Sequence, residues 1–185
     1  MARLPYKTRE NLSEEELPHW DELMPEGGGR GRLPLVTQIL MYRPPLAVLA
    51  ERINRTVRME LSLPRSSVEL VILASAREHN CLREWGVHLP QARNVGVREE
   101  AIQAIKEHRA PDGLTEEEAE LVNYAHELWR TNRVSDKTFQ AAHKRLGDVG
   151  VVDLTALVGV YSMLSAVMNA FEVEPPEDEA LHLPI

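Results

Sequence analysis

The chain has 185 residues, of which 43% are apolar and 5% aromatic, and its 29 acidic residues outnumber its 21 basic ones, for a net charge of −8. That length allows one ordinary hydrophobic core, and the acidic balance argues against DNA or RNA as partners, because proteins that bind phosphate backbones present a clustered basic face. No apolar run is long enough to cross a bilayer and the N-terminus lacks the apolar segment of a signal peptide, so we expect a cytoplasmic protein without a membrane span.

The first 33 residues are predicted to form a polar arm. Ser13 and Glu16 have the spacing of a capping box and predict a short helix through about Leu23. The segment PEGGGRGRLP, residues 25–34, then predicts a loop or hinge, because its four glycines disfavour a helix. No strand precedes these glycines and no lysine followed by Ser or Thr closes them, so we do not expect a phosphate-binding loop.

From Leu35 onwards the apolar residues recur at steps of three or four, the spacing of amphipathic helices, and no segment alternates convincingly with a period of two. The sequence therefore predicts an all-α fold. One helix is expected to begin at Pro44 or Pro45 and to end near Leu61, with an apolar stripe made of Leu46, Leu49, Ile53, Val57 and Leu61.

Further helices follow after Pro90. A short one contains Ile102 and Ile105, a second starts at the capping box formed by Thr115 and Glu118, and a third runs from Ser135 to Gly147. The last, at about 151–171, is apolar on nearly every side, as is typical of a central or subunit-interface helix. The acidic, proline-rich tail after it is expected to lie along the surface.

The stretch from Pro64 to Pro90 carries most of the functional signal. It contains the only cysteine, Cys81, followed by Glu84 and His88, and a helix would align these three side chains on one face. We expect a break near His79, with Asn80 as the N-cap of the second helix. Cys81 would then lie in a first helical turn, where the helix dipole favours thiolate.

Four short motifs in and next to this stretch together match a known family. They are Leu63-Pro64, Glu69-Leu70, Asn80-Cys81, Glu84-Trp85 and His88, in the order LP, EL, NC and EWxxH. This order resembles the carboxymuconolactone decarboxylase family, which also contains the AhpD-type alkylhydroperoxidases. The later segments LTEEEAELVNYAHEL, RVSDKTFQ and NAFEVEPP look like the C-terminal part of longer members.

The resemblance implies an AhpD-like bundle of about 7 to 9 helices that assembles as a homo-oligomer, commonly a trimer or hexamer, with a site near a subunit interface. It divides the chain into an arm at 1–33, a helical domain at 34–176 and a tail at 177–185.

The peroxidase branch of the family would need a glutamate at 69, cysteines at 81 and 84 and a histidine at 88. Glu84 replaces the second cysteine, so an oxidised Cys81 has no resolving thiol in its own chain. The motif Glu-Trp-x-x-His instead resembles the decarboxylase branch. Arg83 stands where many members of that branch carry an aromatic residue.

These residues suggest proton-transfer chemistry. We predict a cofactor-free enzyme that decarboxylates, isomerises or hydrolyses a small carboxylated lactone or related aromatic-degradation product. His88 would be the acid or base and Glu69 its partner, with Cys81 and Glu84 also in the catalytic set. Arg83 and Trp85 would contact the substrate.

Two other functions stay open at this point: a thiol peroxidase or reductase that uses Cys81 with an external resolving thiol, and a non-enzymatic oligomeric protein that binds a small molecule. Structural roles also stay open, since Cys81 and Trp85 could be core residues, Glu69 could cap Ser66, and His88 could cap a helix C-terminus. No metal site is expected, because the remaining histidines show no paired i, i+4 spacing.

Overall fold

The computed structural model describes residues 2–24, 32–178 and 181–184, so most of the predicted glycine-rich loop lies outside the described residues. Within these ranges the chain forms helices and no strands, which confirms the all-α prediction. After a 3-10 turn at Arg9–Asn11, eight α-helices follow: α1 (Leu17–Leu23), α2 (Leu35–Leu40), α3 (Pro44–Met59), α4 (Arg65–Glu78), α5 (Leu82–Asn94), α6 (Glu99–Lys106), α7 (Glu116–Thr131) and α8 (Asp136–Ala170).

Helix α4 lies at the centre of the fold, packed against α5, α6, α7 and α8. Every residue from Val68 to Ala76 is buried, as the nearly continuous apolar run of this segment requires. A buried polar side chain on α4 must therefore find its partner inside the protein. Glu69 is such a side chain.

The break between α4 and α5 differs in detail from the prediction. Helix α4 ends at Glu78, Asn80 adopts a left-handed conformation with φ 47°, and Cys81 itself is the N-cap of α5. The predicted role of Asn80 as N-cap is therefore wrong. The capping of Ser66 by Glu69 is also wrong, because α4 already begins at Arg65 with Pro64 as its N-cap.

The other two predicted capping boxes agree more closely with the structure. Thr115 and Glu118 form the expected capping box, in which the Glu118 N–H donates to Thr115 Oγ1 at 3.2 Å and the Thr115 N–H donates to Glu118 Oε2 at 2.8 Å. At the first helix, Ser13 N–H does donate to Glu16, but α1 begins only at Leu17.

Helix α8 is interrupted at Gly147, where φ 68° and ψ −176° leave the helical region. The predicted helix end at Gly147 is thus confirmed, with helical segments at 136–146 and 148–170 on either side of the break. By length and composition α8 could cross a membrane, but half of its most apolar window is buried inside the protein. A core helix passes the same test, so α8 does not by itself indicate a membrane protein.

The structure shows how far two segments are buried, and it corrects the prediction for the tail. On α3, Val57 is buried, whereas Leu46, Leu49 and Ile53 are exposed, so the apolar stripe only partly faces the core. The tail does not simply lie on the surface either. Leu183 is only 5% exposed and packs into the cluster that contains Trp85 and Leu89.

Candidate active site

Glu69 and His88 form the centre of the site. Glu69 projects from α4 and is 0% exposed, while His88 projects from α5 and is also buried. His88 Nδ1 lies 2.7 Å from Glu69 Oε2. The second carboxylate oxygen of Glu69 accepts a hydrogen bond from Arg65 Nη2 at 3.2 Å. The contact that the sequence predicted between Glu69 and His88 is therefore present, and it joins the two most closely packed helices.

The other ring nitrogen of His88 faces a second carboxylate. His88 Nε2 lies 3.2 Å from Oε1 of Glu84, four residues earlier on α5. The imidazole thus lies between two buried carboxylates, and its plane is nearly perpendicular to the ring of Tyr161 on α8, with an angle of 88° and the ring centres 5.5 Å apart. The i, i+4 spacing of Glu84 and His88 produces this contact because both point to the same face of one helix.

The two carboxylates beside His88 and its burial together control the pKa of the imidazole. Burial alone lowers the pKa of an imidazole, but the hydrogen bonds to Glu69 and then to Glu84 outweigh it, and the pKa of His88 is raised above its usual value. A neutral imidazole has only one N–H, so it can bridge two carboxyl groups only if one of them carries a proton. A protonated imidazole, in contrast, donates from both ring nitrogens and can bind both carboxylates at once.

Cys81 lies on the same side of α5 but in a different chemical state from the one predicted. It is 1% exposed, and burial raises the pKa of its thiol to about 11, although the N–H groups of Glu84 and Arg83 at the helix N-terminus act in the opposite direction. The expectation of a thiolate-favouring position is wrong, because desolvation outweighs the helix terminus. Cys81 is a protonated thiol at neutral pH.

The two ring nitrogens of His88 contact Glu69 and Glu84, and not Arg83 or Trp85. Arg83 is half-buried and its Nη1 donates to the backbone oxygen of Glu174 at 3.3 Å, which ties α5 to the segment after α8. Trp85 is fully buried in the apolar cluster with Leu89 and Leu183. These positions favour structural roles for both residues.

Sequence reasoning missed three residues around His88. Tyr161 lay within an apolar helix and showed no polar pattern, so nothing in the sequence distinguished it from a core residue. Arg65 could have been found, because it precedes Glu69 by four residues, the spacing of a helical ion pair. Arg58, which donates to Gln91 and so joins α3 to α5, had no sequence signal.

Among the described residues, no three His, Cys, Asp or Glu side chains are arranged to hold a metal ion. The arrangement around His88 is suited to moving protons between buried oxygen and nitrogen atoms.

One part of the chain matches a known family. Residues 47–127, a little less than half of the chain, match the model of the carboxymuconolactone decarboxylase family. The matched segment contains α4, α5 and all three members of the Glu69–His88–Glu84 arrangement, so the family's characteristic region is the one that builds the site.

Solved structures of AhpD-like proteins share the fold of this chain. An uncharacterised peroxidase-related protein from Ralstonia eutropha JMP134, described as an alkylhydroperoxidase AhpD core, is similar with a TM-score of 0.78 at 14% identity, over 100% of this chain and 97% of that one. A peroxidase-related protein from Silicibacter sp. TM1040 gives a TM-score of 0.76 at 13% identity, over 99% of this chain and 96% of that one.

A third similar structure contains a small molecule. It is a cysteine-to-alanine variant of the debrominase Bmp8 in complex with 2,3,4-tribromopyrrole, with a TM-score of 0.70 at 13% identity, over 93% of this chain and 90% of that one. No curated protein matches the chain in sequence. The similar structures show the fold, and the chemistry must be argued from this chain's own residues.

Proposed function

We propose that this protein is a cofactor-free enzyme that uses proton transfer to convert a small carboxylated lactone or related aromatic-degradation product. The reaction is a decarboxylation, an isomerisation or a hydrolysis. His88 holds the proton, Glu69 orients the imidazole, and Glu84 passes the proton between His88 and the substrate. Family membership supports the substrate class, and the complex of the debrominase Bmp8 with a bromopyrrole supports a small, ring-shaped ligand.

The observation that carries this proposal is the imidazole held between two buried carboxylates. Decarboxylation and isomerisation both leave electrons on a carbon that must then be protonated, or remove a proton from such a carbon. A histidine whose pKa is raised above its usual value keeps a proton available near neutral pH. Glu69, without exposed surface, fixes the ring through Nδ1 and leaves Nε2 directed at Glu84.

The test is proton exchange and turnover with a panel of five-membered lactone carboxylic acids. Carbon dioxide release and deuterium uptake from D₂O, followed by proton NMR, detect all of the proposed reactions except simple hydrolysis, which the same spectra reveal as ring opening. We expect His88→Gln and Glu69→Gln each to lower the rate about 10²- to 10⁴-fold, the usual contribution of a general acid or base.

The matched control is His143→Gln, which changes a partly exposed histidine that pairs with Asp148 on the surface. Its rate should equal that of the wild type. Full turnover by His88→Gln would overturn the proposal, and binding of the panel without any turnover would favour a non-enzymatic binding protein.

Thiol chemistry is the second candidate, because two similar structures are named peroxidase-related and Cys81 lies at the N-terminus of α5. Its burial and its raised pKa argue against this route. We therefore expect maleimide and hydrogen peroxide to leave Cys81 unmodified in the folded protein at pH 7, and maleimide to label it once the protein is unfolded, as read by mass spectrometry. Cys81→Ser should keep its activity on the lactone panel. Rapid formation of a sulfenic acid in the folded protein would instead establish the thiol route.

A further inference from the structure

Several buried polar atoms near His88 lack a hydrogen-bond partner. Arg58 Nε, Arg65 Nη1 and the hydroxyl of Tyr161 are all buried without a partner in the described part of the chain. A buried donor without an acceptor destabilises a protein, so each such group needs an explanation. Other buried atoms without a partner are Asn54 Oδ1, Ser75 Oγ, Trp85 Nε1 and Ser165 Oγ. The three donors come from three different helices, which suggests that a ligand supplies their acceptor.

These donors surround one place. Tyr161, which is 1% exposed, contacts the His88 ring through its own ring, and the charges of Arg58 and Arg65 both act on its hydroxyl. Arg65 is anchored on Glu69, and Arg58 is anchored on the side chain of Gln91 from α5. The two guanidinium groups and the phenol therefore converge from α3, α4 and α8 on the side of the fold that holds the imidazole.

The charges of the site are consistent with an anion. With His88 protonated, two arginines and one imidazolium face the two carboxylates of Glu69 and Glu84, which leaves one positive charge. Burial, and then the negative charge of Glu84, raises the pKa of Tyr161 well above its usual range, so its hydroxyl keeps its hydrogen and acts as a donor. A ligand with one carboxylate would neutralise the site and accept hydrogen bonds from all three groups.

We infer that Arg58 and Arg65, together with the hydroxyl of Tyr161, bind the carboxylate of the substrate beside His88. This inference rests on the proposed function for its substrate class, and it replaces Arg83, whose guanidinium instead binds the backbone of Glu174. Guanidinium groups suit this role because they present several N–H donors in a plane that matches a carboxylate.

Binding measurements test the inference without requiring turnover. The probes are a five-membered lactone that carries a carboxymethyl group and its uncharged methyl ester, titrated by calorimetry at pH 7. We expect the acid to bind more tightly than the ester. Arg58→Gln, Arg65→Gln and Tyr161→Phe should each weaken the binding of the acid by about 10- to 100-fold, which corresponds to the loss of a hydrogen bond to a charged group. Binding of the ester should change little.

The controls address folding and location. Arg55→Gln removes an exposed arginine from the same helix as Arg58 and should leave both affinities unchanged. Arg58→Lys retains the charge and should lose less affinity than Arg58→Gln, while circular dichroism and thermal melting establish that each variant is folded.

The outcomes are distinct for the two proposals. Equal binding of acid and ester, or loss of acid binding in Arg83→Gln but not in Arg58→Gln, would overturn the carboxylate site. Selective binding of the acid together with no proton exchange or turnover would support the carboxylate site and contradict the proposed enzymatic function.

Discussion

The imidazole of His88 has a carboxylate on each nitrogen, one from α4 and one from its own helix. Such an arrangement favours the protonated ring, whereas burial alone would favour the neutral one. The balance decides whether the site holds an acid or a base near neutral pH. The proton on His88 therefore affects both the stability of the fold and the chemistry of the site.

The raised pKa of His88 predicts how stability depends on pH. A histidine whose pKa is higher in the folded than in the unfolded state stabilises the fold fully below the unfolded value, about 6.5. This contribution is lost as the pH rises through the raised folded pKa. Urea unfolding of wild type and His88→Gln between pH 5 and 9, values chosen to bracket about 6.5, should therefore show a difference in unfolding free energy that shrinks as the pH rises.

His126→Gln is the matched control with the opposite sign. Burial first, and then the charge of Arg130, lowers the pKa of His126, so the wild-type residue loses stability relative to glutamine as the pH falls. A wild-type advantage over His88→Gln that grows with pH would contradict the interpretation of His88.

At the scale of elements, helix α5 carries His88 on one side and packs against the C-terminal tail on the other. Gly86 makes this possible, because a Cβ at that position would lie 2.6 Å from Cδ of Pro176 and 3.2 Å from the backbone oxygen of Leu181. His182 Nε2 lies 2.7 Å from the backbone oxygen of Pro176, which closes the tail into a compact turn over the helix. The side of α5 opposite to the imidazole is thus covered by the chain's own end.

We predict that Gly86→Ala displaces the tail and lowers the free energy of unfolding by about 1 to 3 kcal/mol, the usual cost of overpacking. Limited proteolysis with mass spectrometry should show faster cleavage of the tail. Removing residues 176–185 eliminates the clash, so Gly86→Ala should have little further effect in the truncated chain. Equal effects in the full and truncated chains would contradict the contact.

At the scale of the whole molecule, large apolar side chains remain on two surfaces. One lies on α3 and the turn before it, with Tyr42, Leu46, Leu49 and Ile53 exposed, and the other lies on the second segment of α8, with Val149, Val152 and Met163 exposed. Exposed apolar patches of this kind commonly mark protein–protein contacts. They agree with the expectation of a homo-oligomer, and helix α8 offers the longer continuous face.

We predict that the protein self-associates through α8. Light scattering after size exclusion should give a mass that is a multiple of 20.9 kDa, with a trimer or hexamer expected. Met163→Glu should shift the mass towards the monomer, because it places a charge in the apolar contact. Gln140→Glu adds the same charge at an exposed polar position and should not change the mass. A wild-type monomer would contradict the prediction.

The sequence by itself predicted the helical class, which the structure confirms, and it singled out Glu69, Glu84 and His88, which the structure brings together, because helical spacing and a short motif are local properties of the chain. It also located the breaks near His79 and at Gly147. Only the tertiary structure decided which side chains are buried and which atoms they contact. Three features depend on contacts between segments that are distant in the sequence. Burial raises the pKa of the Cys81 thiol, and Arg83 donates to the backbone oxygen of Glu174. Arg58, Arg65 and Tyr161 have buried polar atoms without a partner on the side of the fold that holds His88. Sequence spacing does not predict such contacts, because packing decides which side chains are removed from solvent and which distant atoms they contact.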